Sequence, residues 1–144
     1  MDKWLGLEGK VVVVTGAVGG MGKTICEEFA KQNSKIVLLD LFKDKAGEYA
    51  KYLEDTYGVE TLSLAVNTTD AAVEAVKEKF GRTDILVNTA AMLRACPLED
   101  LPLNEWRQTI DVNLTGYFLV SQRFGRLMIE QKYGNMVHIS TIAS

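Results

Sequence analysis

The fold of this chain is decided by the stretch Val11-Val12-Val13-Val14-Thr15-Gly16-Ala17-Val18-Gly19-Gly20-Met21-Gly22-Lys23-Thr24. Four consecutive β-branched residues without polar alternation predict a strand that is buried on both faces. Four glycines follow within seven residues, and a helix-forming run from Ile25 to Ala30 comes after them. A junction of this kind binds phosphate, because the first turn of a helix has free N–H groups and glycines let an anion approach the backbone.

Two phosphate-binding motifs can be aligned with this loop. Gly16, Gly20 and Gly22 give a Gly-x-x-x-Gly-x-Gly pattern after Thr15, which is spaced more loosely than the common dinucleotide motif. Read from Ala17, the same residues give Ala-x-x-x-x-Gly-Lys-Thr, in which Lys23 and Thr24 resemble the residues of a P-loop that contact phosphate and magnesium. A glycine-rich turn without a ligand is the third interpretation, so the loop alone leaves the ligand open.

Composition restricts the classes of protein to which the chain can belong. The chain has 144 residues, of which 47% are hydrophobic and 24% charged, and its net charge is −3; this is typical of one globular domain. No basic cluster indicates a nucleic-acid or membrane surface, and no apolar run approaches the roughly 18 residues of a membrane span. Cys26 and Cys96 form neither a disulfide framework nor a metal-ligand cluster. We therefore expect a cytoplasmic protein that binds small molecules, with no metal, nucleic-acid or membrane partner.

Strand and helix patterns alternate along the rest of the chain. Buried or alternating apolar runs predict strands, and apolar residues at helical spacing, bounded by Gly58 and Gly81, predict helices. The predicted strands are 11–14, 36–40, 61–66, 85–87 and one beginning near 134, and the predicted helices are 23–32, 43–57, 70–80 with Asp70 as its N-cap, and 103–132. This alternation predicts an α/β fold with a three-layer, Rossmann-like, doubly wound parallel sheet.

Asp40 distinguishes between the two motifs. It stands at the end of the second strand, 18 residues after Gly22, close to the distance at which a dinucleotide fold places the carboxylate that binds the adenosine ribose. A 2′-phosphate would be repelled there, and no Arg or Lys occupies positions 17, 18, 19 or 41 to attract one. The sequence therefore predicts NAD in preference to NADP. A helix N-cap or a solvated strand end is the alternative role of Asp40.

Taken together, three motifs resemble the short-chain dehydrogenase/reductase family. They are the Thr-Gly-x-x-x-Gly-x-Gly loop, Asp40, and Asp84-Ile85-Leu86-Val87-Asn88-Thr89-Ala90-Ala91. In the family the last segment usually ends Asn-Asn-Ala-Gly, so Asn88 and Ala90 match whereas Thr89 and Ala91 depart. The resemblance implies a dinucleotide site formed by Gly16, Gly19, Gly20, Met21, Gly22, Asp40, Leu41, Asn67, Asn88, Ala90 and Ala91.

The family resemblance also implies catalytic positions. Asn113, in Asp111-Val112-Asn113-Leu114-Thr115-Gly116, matches the asparagine that supports a proton relay in the family, and the helix over 103–132 resembles one that pairs subunits. Thr141 matches the hydroxyl residue that polarises the substrate carbonyl, with Ser140 as the alternative, since neighbouring strand residues face opposite sides. His138 is expected to have a structural role, buried or facing a neighbouring strand. The expected substrate is a small alcohol or carbonyl compound, and the expected assembly is a homo-oligomer.

The acid/base pair of the family is not found in this sequence. That pair is Tyr-x-x-x-Lys, and none of Tyr49, Tyr52, Tyr57, Tyr117 and Tyr133 has a lysine four residues later. We therefore expect residues 1–144 to form an incomplete dinucleotide-binding domain of an NAD-dependent oxidoreductase that is inactive alone. A non-catalytic dinucleotide-binding chain, or one that a partner completes, is the alternative. A P-loop NTPase is the remaining alternative, although it explains only residues 17–24.

Overall fold

The computed structural model describes residues 5–65, 69–93 and 95–140. Strands and helices alternate through these ranges as the sequence predicts. The strands are β1 (Val11–Thr15), β2 (Lys35–Asp40), β3 (Thr61–Ala65), β4 (Ile85–Asn88) and β5 (Asn135–His138), and the helices are α1 (Gly20–Lys31), α2 (Lys43–Tyr57), α3 (Thr69–Phe80), α4 (Leu103–Ile110) and α5 (Gly116–Glu130). A 3₁₀ turn, Leu98–Asp100, precedes α4, and a π-helical turn, Asp111–Thr115, joins α4 to α5.

The described strands form one parallel sheet in the order β3-β2-β1-β4-β5. The chain runs from β1 outward through β2 to β3 and then returns across the sheet to β4. Such a reversal opens a crevice at the carboxyl ends of the two central strands, which is where ligands bind in open α/β sheets. The structure confirms the predicted Rossmann-like fold and places the glycine loop, 16–22, at this crevice.

Each face of the sheet is covered by its own hydrophobic core. On one face, Val12, Val14, Ile36 and Leu38 pack with buried residues of α1 and α2. On the other face, the strand residues that alternate with these, Val11, Val13, Val37 and Leu39, pack with Val76 of α3 and Phe124 of α5. Because side chains alternate across a strand, the four-valine run supplies both cores, and this is why it contains no polar residue.

Helix α2 has the predicted bounds, but the starts of α1 and α3 were predicted wrongly. Gly58 ends α2 in the left-handed conformation, with φ of 69°. Helix α1 begins at Gly20, three residues earlier than its apolar pattern indicates. Helix α3 begins at Thr69, so Asp70 lies inside the first turn and is not the N-cap. Its carboxylate instead pairs with Arg123 of α5 at 2.8 Å, a contact that local sequence cannot reveal.

The long helix predicted over 103–132 is interrupted and ends earlier. It consists of α4, the π-helical turn and α5, and it ends at Glu130. The apolar residues that this segment leaves exposed differ from those that it packs against the core. Trp106, Leu114 and Phe118 are 49%, 65% and 59% exposed, whereas Val120, Phe124, Leu127 and Met128 are the buried residues of α5. The first three residues therefore form part of an exposed apolar face.

Two predicted site residues, Asn67 and Thr141, lie outside the described residues. Strand β5 ends at His138, so Ser140 lies beyond the strand and is exposed. The expectation that Ser140 and its neighbour point to opposite faces assumed a strand at that position, and the described strand does not extend so far. No helix in the described ranges has the length and apolarity needed to cross a membrane.

Candidate functional site

The hydroxyl of Thr15 joins the ends of the two central strands. It donates to Oδ1 of Asn88 at 2.8 Å and accepts hydrogen bonds from the backbone N–H groups of Thr89 and Ala90, each at 3.1 Å. In return, the Thr89 hydroxyl donates to the carbonyl of Thr15 at 2.6 Å. Thr15, Asn88 and Thr89 are all buried. The loops that follow β1 and β4 are therefore held together by side chains as well as by the strand ladder.

The glycine loop is compact because side chains are sterically excluded at several of its positions. A methyl group at Gly16, whose φ is 62°, would lie 2.9 Å from Cα of Ala90, and one at Gly22 would overlap the carbonyl oxygen of Gly16. A methyl group at Gly19 would also press on that carbonyl, at 3.2 Å. At Gly20, in contrast, a methyl group would meet no protein atom within 4 Å. Packing therefore explains three of the four glycines, and only Gly20 opens onto free space.

The N-terminus of α1 meets this open space without a capping side chain. Gly19 is the N-cap, no side-chain hydrogen bond closes the helix end, and the first turn contains no acidic residue. The N–H groups of a first helical turn have no intrahelical acceptors and carry partial positive charge. Gly20, Met21 and Gly22 supply these groups, and the Met21 side chain is exposed. This helix end fits the pyrophosphate of a dinucleotide, which binds through such N–H groups.

Asp40 lies at the end of β2 and is only 8% exposed. Its Oδ2 accepts a hydrogen bond from the N–H of Val18 at 3.0 Å, and its Oδ1 accepts one from the N–H of Phe42 at 3.1 Å. Each carboxylate oxygen has a second lone pair, so both can still accept a bond from a ribose hydroxyl. The alternative of a solvated strand end is wrong, because the carboxylate is fixed against the glycine loop. Leu41 follows with its side chain exposed beside this carboxylate.

Lys23 and Thr24, the residues of the P-loop interpretation, make contacts within the helices. The ammonium of Lys23 lies over the ring of Tyr49 on α2, 5.1 Å from its centroid. The hydroxyl of Thr24 donates to the carbonyl of Gly20, one turn earlier in α1, at 3.3 Å. Among the described residues, no group of three or more His, Cys, Asp or Glu is placed to hold a metal ion. The observed contacts of the two side chains thus need no nucleoside triphosphate to explain them.

Asn88 connects three adjacent strands at one register level. Its Oδ1 accepts from Thr15 of β1, and its Nδ2 lies 3.4 Å from Nδ1 of His138 on β5. The ladder places these residues side by side, Thr15 against Asn88 and Asn88 against His138. His138 therefore has the strand-facing contact that was expected, but it is exposed and not buried. Ala90 and Ala91 continue from Asn88 toward the surface beside Gly16.

Asn113 is fixed by a reciprocal pair of hydrogen bonds. Its Nδ2 donates to the carbonyl of Met92 and its Oδ1 accepts from the N–H of Met92, both at 2.7 Å. The residue lies in the π-helical turn, where Gly116 donates to the carbonyl of Asp111, five residues earlier. The side chain thereby ties the loop after β4 to this turn. The structure brings Asn113 to the same sheet edge as Asn88 and Ala90. There, the Asn113 side chain holds the backbone of Met92 in place.

Two residues of this site were missed in the sequence. Thr89 was regarded as a departure from the family pattern, yet its hydroxyl closes the network around Thr15. Tyr117 was given no role in the site, but its hydroxyl lies 3.0 Å from the carbonyl oxygen of Asn88 and 2.8 Å from that of Ile139. The spacing of four residues from Asn113 places Tyr117 on the same helix face, but it does not reveal the backbone carbonyls that the hydroxyl contacts.

Comparison with known protein families matches residues 10–144 with the family described as short chain dehydrogenase. The chain belongs to the short-chain dehydrogenase family. This agrees with the geometry, since the glycine loop, Asp40 and Asn88 meet at one edge of the sheet. The chain spans about half the length of the curated relatives it matches.

Individual short-chain dehydrogenases match over nearly the whole chain. D-threitol dehydrogenase of Mycolicibacterium smegmatis is 37% identical over 143 residues, which are 96% of this chain and 55% of that protein. The structure of NAD⁺-bound xylitol dehydrogenase superimposes with a TM-score of 0.90 at 30% identity, covering 95% of this chain and 55% of that one. The structure of L-sorbose reductase from Gluconobacter frateurii, complexed with NADPH and L-sorbose, also gives a TM-score of 0.90, at 32% identity, with 99% and 55% covered. The family therefore supplies examples with either nicotinamide dinucleotide.

Replacing Thr15 by valine tests the joint between the central strands. Thr15→Val keeps the shape of the side chain but leaves Oδ1 of Asn88 and two backbone N–H groups without this partner. We expect the free energy of unfolding to fall by about 2–4 kcal/mol, because each buried polar group left unpaired costs about 1–3 kcal/mol. Urea unfolding followed by circular dichroism measures the change.

Thr24→Val is the matched control for this substitution. It removes a hydroxyl that donates a hydrogen bond on the exposed side of α1, so the free energy of unfolding should change by no more than about 0.5 kcal/mol. Equal losses of unfolding free energy in Thr15→Val and Thr24→Val would show that the buried hydrogen bonds of Thr15 contribute no more to stability than an exposed hydroxyl does.

Proposed function

We propose that this chain forms the dinucleotide-binding part of an NAD-dependent oxidoreductase that acts on a small alcohol or carbonyl compound. The observation that carries the proposal is the position of Asp40, whose carboxylate is bonded to Val18 of the glycine loop beside the uncapped end of α1. Anion-binding N–H groups and a ribose-binding carboxylate thus lie side by side. The names of relatives give further support, since D-threitol and xylitol are polyols.

Each predicted residue has a role in this proposal. The backbone of Gly16, Gly19, Gly20, Met21 and Gly22 would hold the pyrophosphate, and Asp40 and Leu41 would hold the adenosine ribose. Asn67, Asn88, Ala90 and Ala91 would line the rest of the dinucleotide. The nicotinamide ring supplies or accepts the hydride when the dinucleotide is bound. Of these residues, all except Asn67 are among the described ones and border the same sheet edge.

Charge around Asp40 favours NAD over NADP. A 2′-phosphate on the ribose would approach a carboxylate that is only 8% exposed and fixed by two backbone N–H groups. The first lysines after Asp40, Lys43 and Lys45, lie in α2, and the ammonium of Lys45 rests over the ring of Phe42 at 5.0 Å from its centroid. For NADP to bind well, one of these lysines would have to move and offset the negative charge of the Asp40 carboxylate.

We assign the polarising hydroxyl to Thr141, with Ser140 as the alternative, and a supporting role to Asn113. The Tyr-x-x-x-Lys acid/base pair does not occur in the sequence. General acid/base groups typically contribute about 10² to 10⁴ in rate, so the chain alone is expected to bind dinucleotide without efficient turnover. A purely dinucleotide-binding chain, or one completed by a partner, remains the alternative proposal, and turnover measurements on the protein that contains this chain separate these cases.

Titration with NADH, NADPH and magnesium ATP tests the assignment of the cofactor. We expect NADH to bind at least ten times more tightly than NADPH, and magnesium ATP not to compete with NADH. Asp40→Asn retains the shape but loses the charge, so NADH affinity should fall by about tenfold and the preference over NADPH should narrow, since a hydrogen bond to a charged group contributes about 1.5–3 kcal/mol. Fluorescence of the bound nicotinamide measures these affinities.

Asp44→Asn is the control, because it removes an equal charge from the exposed first turn of α2. It should change neither affinity. Tighter binding of NADPH than of NADH by the unmodified chain would contradict the role given to Asp40.

Alanine at Gly20 separates ligand binding from folding. No atom beyond the neighbouring residues of the helix lies within 4 Å of the added methyl group, and alanine has a higher helix propensity than glycine. Gly20→Ala should therefore be as stable as the unmodified chain or more so, yet bind NADH roughly tenfold more weakly, because the methyl group occupies the space beside the helix end. Thermal unfolding and NADH titration provide the two measurements.

Gly22→Ala gives the opposite pattern in the same loop. Its methyl group would overlap the carbonyl oxygen of Gly16, so this variant should lose stability first and binding as a consequence. If Gly20→Ala keeps full affinity for NADH, the open space beside Gly20 is not part of the binding site.

We also propose that the exposed apolar face of α4 and α5 pairs with a second copy of the chain. This face, here called the helical patch, consists of Trp106, Leu114, Phe118 and Ile129, all between 49% and 77% exposed. A set of large exposed apolar side chains on one helix surface is typical of an interface between proteins. Because a two-fold axis brings the same patch of both copies together, a single continuous helix face is enough to form such an interface.

Phe118→Asp tests the helical patch. The substitution places a charge at the centre of the patch, so it should shift the assembly toward the monomer while the circular dichroism spectrum stays unchanged. Tyr52→Asp, on α2 at the opposite face of the sheet, is the control and should leave the assembly unaltered. Analytical ultracentrifugation measures both, and an unmodified chain that is monomeric throughout the accessible concentration range would contradict the proposal.

The two cysteines support a reducing location for the protein. Cys26 is completely buried and Cys96 is exposed, and both are free thiols. Burial raises the pKa of the Cys26 thiol to about 12, so this thiol stays protonated and unreactive at neutral pH. Free thiols persist in the cytoplasm, where glutathione and thioredoxin keep them reduced. We therefore propose a cytoplasmic location.

A further inference from the structure

Tyr117 places a hydroxyl at the point where β4 and β5 end. It lies in the first turn of α5, directly after the π-helical turn, and it is half-buried. Its oxygen is 3.0 Å from the carbonyl oxygen of Asn88 and 2.8 Å from that of Ile139. The Ile139 N–H donates to the same Asn88 carbonyl at 2.9 Å. The phenol thus bridges the two strands just after their last ladder pair, Asn88 and His138.

The phenol of Tyr117 remains a hydrogen-bond donor at neutral pH. Burial raises its pKa above the ordinary value for tyrosine, so the proton is retained. The single hydroxyl proton of Tyr117 faces two carbonyl oxygens, those of Asn88 and Ile139. Both residues belong to the proposed site or adjoin it. Asn88 carries the amide that binds Thr15, and Ile139 immediately precedes Ser140.

Tyr117 and Asn113 lie four residues apart and act from one side of the helix. Asn113 fixes Met92, in the segment that leaves β4, and Tyr117 fixes Ile139, in the segment that leaves β5. Residues with this spacing face the same direction. A single helix face therefore holds both segments that border the proposed dinucleotide and substrate positions.

We propose that Tyr117 is a positioning residue, whose hydroxyl sets the place of Ser140, the first hydroxyl-bearing residue after β5. The inference rests on the proposed oxidoreductase function, in which a hydroxyl directly after β5 polarises the substrate carbonyl. Ser140 is adjacent to the carbonyl that Tyr117 holds, so releasing that carbonyl lets the segment after β5 shift. Reaction rates depend steeply on such placement, and a displacement of about 1 Å can cost about 100-fold.

Tyr117→Phe tests the proposal because it removes only the hydroxyl. The ring, which lies 5.8 Å from the ring of His138, keeps its packing. In the 144-residue chain we expect the amide of Ile139 to exchange its hydrogen about tenfold faster or more, while amides of β1 and β2 keep their rates. Nuclear magnetic resonance should also show the backbone signal of Ser140 shifted, with NADH affinity unchanged.

Tyr49→Phe is the matched control. Tyr49 also donates its hydroxyl to a backbone carbonyl, that of Lys23 at 2.8 Å, and burial likewise raises its pKa, but it lies between α1 and α2 on the other face of the sheet. This variant should leave the exchange of Ile139 and the signal of Ser140 unchanged.

Turnover by the oxidoreductase that contains this chain provides the readout of positioning. We expect Tyr117→Phe to lower kcat about tenfold with the KM for NADH unchanged, and Tyr49→Phe to alter neither. An unchanged Ile139 exchange rate, a uniform acceleration across the sheet, or an unchanged kcat would each overturn the proposal. If the unmodified chain fails to bind NADH, the proposed function fails instead, and the exchange rate of Ile139 still decides whether Tyr117 holds the end of β5.

Discussion

The hydroxyl of Thr15 is the constraint on which the rest of the site depends. Strand ladders align β1 with β4, but they do not determine where the two loops go once the strands end. One oxygen atom does so here, by binding the Asn88 amide and the N–H groups of Thr89 and Ala90. Because this network is buried, its hydrogen bonds are strong and any missing partner is costly. The loops can then approach so closely that a methyl group at Gly16 would press on Ala90.

A second consequence of this geometry is that the site is assembled from backbone more than from side chains. The end of α1, the strand ends and the Met92 segment present peptide groups, and side chains such as Asp40, Asn113 and Tyr117 hold those groups in place. Peptide groups held by buried side chains lose little conformational freedom when a ligand arrives, because they are already ordered. The crevice is thereby preorganised.

Much of the fold could be predicted from the sequence because buried segments show a recognisable pattern of apolar residues. The valine run of β1 packs on both faces, and α2 ends at a glycine whose left-handed conformation the pattern required. The role of Asp70 was predicted wrongly, because its carboxylate pairs with Arg123, a residue more than fifty positions away. Within the site, Gly16 and Asp40 followed from motifs. Thr89 and Tyr117 did not, since their partners are backbone carbonyls of other strands, which side-chain patterns do not encode.

The π-helical turn at Asp111–Thr115 has a consequence for how the chain tolerates changes in length. A residue deleted from a regular α-helix rotates everything after it by about 100°, because the helix has 3.6 residues per turn. In α5 such a rotation would carry Phe124 out of the core. The π-helical turn already contains one residue more than an α-helical turn, as the bond from Gly116 to Asp111 shows. This turn is therefore where the helix can lose a residue and keep the phase of α5 intact.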